Sequence, residues 1–113
     1  MSKVYVVQST RKRDQRDGSF KPKFDLEPAK TWGELVELVS PTAKPFNAQV
    51  LIDEMREKLK DFSDEDYLLP IGNVTIISMA VTLAQEQNNG RVKLLQWSGT
   101  NQSHVSIQCD FSE

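Results

Sequence analysis

Residues 66–97 read "DYLLPIGNVTIISMAVTLAQEQNNGRVKLLQW", and this stretch decides the fold. An apolar run ends at Gly72-Asn73, a long apolar segment follows, and Gly90 releases a further apolar run. "YLLPI" predicts a short buried strand, with Pro70 at its end or against a sheet edge because proline lacks a ladder donor. Asn73 predicts the cap of a helix running to about Asn88, and Gly90 supplies its left-handed stop. "RVKLLQW" predicts the next strand. The unit is therefore a strand–helix–strand crossover, expected to be parallel and right-handed.

A strand aimed at a helix N-terminus also suggests an anion site, because free backbone N–H groups and the helix dipole both favour negative charge. Here the loop is only Gly72-Asn73. A Walker-type cradle needs a longer glycine-rich loop with a lysine and a hydroxyl residue, and a dinucleotide fingerprint needs three spaced glycines. Neither pattern occurs. The simpler reading is a tight turn at Gly72 and a helix cap at Asn73, with anion binding there as the weaker alternative.

Outward from this unit, "KVYVVQS" predicts a strand over about 3–9. The basic segment that follows carries Asp17-Gly18 and Pro22, and reads as a loop or protruding hairpin tip at about 10–23. "WGELVELVS" predicts a strand paired with the first, although the spacing of Leu35, Val36, Leu38 and Val39 also suits a helix. "NAQVLIDEMREKLKDF" predicts an amphipathic helix capped by Asn47, with Leu51, Met55, Leu59 and Phe62 on one stripe. "SHVSIQC" predicts a final strand, with Val105, Ile107 and Cys109 buried and His104, Ser106 and Gln108 wet. Cys109 should then react slowly with thiol reagents. The order is β-β-α-β-α-β-β: one small α/β or α+β domain spanning 1–113, with a mixed sheet of about five strands, two helices and antiparallel hairpins at both ends.

At 113 residues the chain fits one domain. Its 38% hydrophobic and 27% charged content excludes a disordered chain. No apolar run approaches the roughly 20 residues of a membrane span, and the N-terminus lacks the pattern of a secretory signal. The single cysteine excludes an internal disulfide and fits a reducing cytoplasm. The glycosylation-like "NVT" and "NQS" are then chance matches.

Net charge is −2, unevenly spread. Residues 1–47 hold nine basic and six acidic groups; residues 48–113 hold five basic and ten acidic groups. The positive excess lies in Arg11, Lys12, Arg13, Arg16, Lys21 and Lys23, which with nearby Phe20, Phe24 and Trp32 form the candidate surface for single-stranded nucleic acid or an acidic partner. The alternative is a solubilising loop. The acidic excess centres on "DFSDEDY", which reads as a solvated charge run, since its spacing lacks the ligand pattern of an EF-hand.

The helix after Asn73 is apolar around most of its circumference, and Thr75, Ser78, Thr82 and Gln85 form a narrow polar stripe without charge. A free outer face normally carries Lys, Glu or Arg. Either the helix is covered within the monomer, or the stripe meets a second subunit or partner. Catalysis has little support. His104 and Cys109 fall on opposite faces of one strand, which prevents a nucleophile–base pair, and one of each cannot build a zinc site. No metal or cofactor is expected. The residues predict a non-enzymatic protein that binds a protein partner or itself, with nucleic-acid binding as the competing reading.

The segments "FDLEPAKTWGELVELVSPTAKPFN", "FSDEDYLLPIGN" and "GRVKLLQW" resemble a group of small tailed-bacteriophage proteins of unknown function. The resemblance implies a protein acting in the cytoplasm of an infected bacterium, on host or phage machinery. It assigns no role to any residue.

Overall fold

The computed structural model describes residues 2–9, 11–13, 16, 18, 20–22 and 25–112. Five strands form one mixed sheet: β1 (Lys3–Val6), β4 (Glu34–Glu37), β5 (Tyr67–Leu69), β6 (Arg91–Ser98) and β7 (Ser103–Asp110). Their spatial order is β4-β1-β5-β6-β7. The first four run parallel, and β7 returns antiparallel to β6. Helices α1 (Ala48–Lys58) and α2 (Val74–Gln87) and a 3-10 helix, Glu27–Thr31, complete the domain, and a small ribbon pairs β2 (Arg11–Arg13) with β3 (Phe20–Pro22). The α/β architecture and its element order are those expected, and the basic segment is a hairpin.

One pairing differs from expectation. β1 and β4 are parallel neighbours rather than arms of a hairpin. The chain between them forms the β2–β3 ribbon and the 3-10 helix, and so has the length to return and enter the sheet in the same direction.

Alternation along β1 builds two cores. Tyr5 and Val7 point to the helix side, where Leu51, Met55, Leu59 and Phe62 of the α1 region meet Ile76, Ala80, Leu83 and Ala84 of α2. Val4 and Val6 point the other way, with Leu69, Leu95 and Ala29 of the 3-10 helix. The predicted α1 stripe is thus wholly buried. Asn47 stands at the N-cap of α1, but its side chain makes no capping bond. Its ψ of 57° is not the extended value of a standard cap. At α2 the cap forms as expected: Asn73 Oδ1 accepts from Thr75 N at 2.9 Å and Ile76 N at 3.2 Å.

The acidic turn is more ordered than a solvated run. Asp66 is buried, and its carboxylate accepts from Lys3 N at 3.0 Å and Ser63 N at 2.9 Å, tying the turn to the start of β1. Asp64 accepts from Arg91 Nε at 3.0 Å and Asn88 Nδ2 at 2.8 Å. The hydrogen bond from Arg91 leads the causes that hold the Asp64 carboxyl below its ordinary pKa.

The final strand departs furthest from expectation. Val105, Ile107 and Cys109 do share the helix-side face of the sheet, opposite Gln96, Leu94 and Val92. Yet Val105 is 36% and Ile107 44% exposed, and Cys109 is half-buried. The helices cover the centre of the sheet and leave its β7 edge open. His104, expected on the wet face, is 8% exposed because the 3-10 helix packs on that side. Thiol labelling of Cys109 is therefore expected at an intermediate rate, slower than in unfolded protein and faster than for a core thiol.

Candidate functional site

In open α/β sheets the usual ligand crevice lies beyond the carboxyl ends of strands where the chain leaves in opposite directions. Here that point falls between β1, which leads toward β4, and β5, which leads toward β6. Gln8 fills it. The residue is 3% exposed, its Nε2 donates to Ser40 O at 3.1 Å and Ala43 O at 3.0 Å, and its Oε1 accepts from Asn73 N at 3.0 Å. Gly72 lies so close that a Cβ would come within 2.5 Å of Gln8 Cβ. The amides of Asn73, Thr75 and Ile76 are thus engaged by side chains of the chain itself. Gly72 and Asn73 form a clamp between β1 and α2.

Two other surfaces remain. The first is a pocket of about 500 Å³ on the side of the 3-10 helix, near the ends of β5 and β6. Leu26, Leu69, Ile71 and Leu95 give it an apolar floor, and Trp97 and His104 form a wall. The two rings meet edge to face with centroids 5.2 Å apart, and Trp97 keeps 43% exposure. His104 Nδ1 is buried with no hydrogen-bond partner among the described residues. Sequence reading missed this pocket, because the signal is a cross-strand Trp97–His104 pair that appears only once the register is known.

Burial lowers the pKa of His104 below its ordinary value. Above about pH 6.5 the ring is neutral in folded and unfolded chains alike. As pH falls below that, the unfolded chain takes the proton first, so stability declines until the folded-state pKa is passed. The urea midpoint is expected to fall as the pH is lowered through about 6.5, the ordinary histidine value, and His104→Gln to flatten that segment. An unchanged slope would mean that His104 is not the group responsible.

The second surface lies on the helix side of the sheet, where the α2 stripe borders Ile52 and Arg56 of α1 and the face of β7 stands apart from it. Thr75, Ser78 and Thr82 are exposed and Gln85 half-buried, so the chain's own residues do not cover the uncharged stripe. Ser78 Oγ donates to Val74 O at 3.0 Å and Thr82 Oγ1 to Ser78 O at 2.9 Å, so both hydroxyls are spent within the helix. The same side presents Val105, Ile107 and Cys109 on β7, whereas the opposite faces of β6 and β7 carry Arg91, Lys93 and Asp110. No charged residue occurs in α2 before Glu86.

The basic candidates lie on the β2–β3 ribbon. Arg11, Lys12, Arg13 and Lys21 take register positions with Lys12 opposite Lys21, Arg16 lies in the connecting turn, and Lys23 falls outside the described residues. Among the described residues no group of three or more His, Cys, Asp or Glu could hold a metal, and no helix is long and apolar enough to cross a membrane.

Fold and surfaces together define a small open-sheet α/β protein with parallel crossovers and an antiparallel edge strand. More narrowly, residues 2–111 match the family described as Phage Pam3 gp32-like protein, and the chain belongs to that family of bacteriophage proteins. No curated protein and no solved structure matches it.

Proposed function

We propose that this phage protein is a non-enzymatic accessory that acts through its surfaces and self-associates along the β7 edge. The observation that carries the reading is the contrast between the two edges of the sheet. β4 is four residues long and carries Glu34 and Glu37, charges that discourage edge pairing. β7 is eight residues long and uncharged from Ser103 to Cys109, with apolar side chains open on its helix side. A strand paired with its own copy about a two-fold axis is self-complementary. Centring that axis on Ile107 sets Ile107 beside its counterpart and Val105 beside Cys109, which gives a continuous apolar row.

This register is directly testable. Opposed antiparallel residues have Cα atoms about 4.5–5.5 Å apart, within disulfide reach. In a Cys109→Ser background, Ile107→Cys is expected to oxidise to a covalent dimer, whereas Gln108→Cys is not. A strict monomer in sedimentation at micromolar concentration would end the proposal.

A second reading, binding of single-stranded nucleic acid by the basic ribbon, is supported by the gathering of Arg11, Lys12, Arg13 and Lys21 on two paired strands. It predicts affinity that falls with salt at a log–log slope of about −0.7 per phosphate contact. Replacing Arg11, Lys12, Arg13 and Lys21 with serine is expected to abolish retention of a fluorescent oligonucleotide. If the unmodified protein retains none at low salt, this reading fails.

A further inference from the structure

We draw no further inference here: the strongest candidate, the apolar pocket on the side of the 3-10 helix walled by Trp97 and His104, carries none because nothing in the structure shows what fills it.

Discussion

Gly72→Ala is expected to destabilise the protein by about 2–5 kcal/mol, adding the cost of a forbidden backbone region to that of overpacking. Gly72 has φ +116°, where a side chain is strained whatever the space around it. The space is also absent, since the new Cβ would meet Gln8 Cβ at 2.5 Å and Gln8 O at 2.9 Å. Neither contact is the free end of a flexible side chain, so the backbone of β1 or the entry to α2 must move. Movement there breaks the bond from Asn73 N to Gln8 Oε1 and loosens the grip of Gln8 on Ser40 and Ala43. A urea midpoint lower by about 1 M or more is expected, given slopes of roughly 1–3 kcal/mol/M for small proteins. Gln8→Ala should cost less, about 1–3 kcal/mol for buried groups left unpaired. A Gly72→Ala variant within experimental error of the parent would show that α2 does not enter through a clamp.

The clamp also shows how far the sequence alone could be read. Gly72-Asn73 announced a tight turn and a cap, and both formed, because each depends on a local preference of one or two residues. The α1 stripe was legible for the same reason: 3.6-residue spacing is a property of the segment itself. Gln8 was not legible. A glutamine at the end of a valine-rich strand looks like a surface residue until Ser40, Ala43 and Asn73 are brought around it from distant parts of the chain. The last strand was half legible. Its alternation correctly grouped Val105, Ile107 and Cys109 on one face, but alternation cannot say whether a covering layer reaches that far. Two helices cannot cover five strands, and the 3-10 helix supplied cover on the other side instead. So the histidine became buried, the valine and isoleucine stayed open, and both candidate surfaces arose from that exchange.

Ile107→Lys carries the largest expected effect on self-association. In the proposed two-fold register Ile107 meets its own counterpart, so one substitution acts twice at the centre of the interface. Each copy loses the burial of an isoleucine, worth about 1.5–3 kcal/mol when complete, and Ile107 is 44% exposed in the monomer, so only part of that is at stake. The two ammonium groups are then held side by side across the strands, where like charges repel. A combined loss of about 4 kcal/mol weakens the dimer roughly 1,000-fold. Stability of the monomer should change little, because position 107 is already partly in water and lies on an edge strand. The control is the neighbouring residue. Gln108 is exposed on the opposite face of the same strand, so Gln108→Lys adds the same charge without entering the apolar row. Sedimentation equilibrium should find Ile107→Lys monomeric at concentrations where the parent and Gln108→Lys are dimeric. If both lysine variants dissociate equally, the edge backbone rather than the apolar face directs the contact. If neither does, the two-fold is not centred on β7.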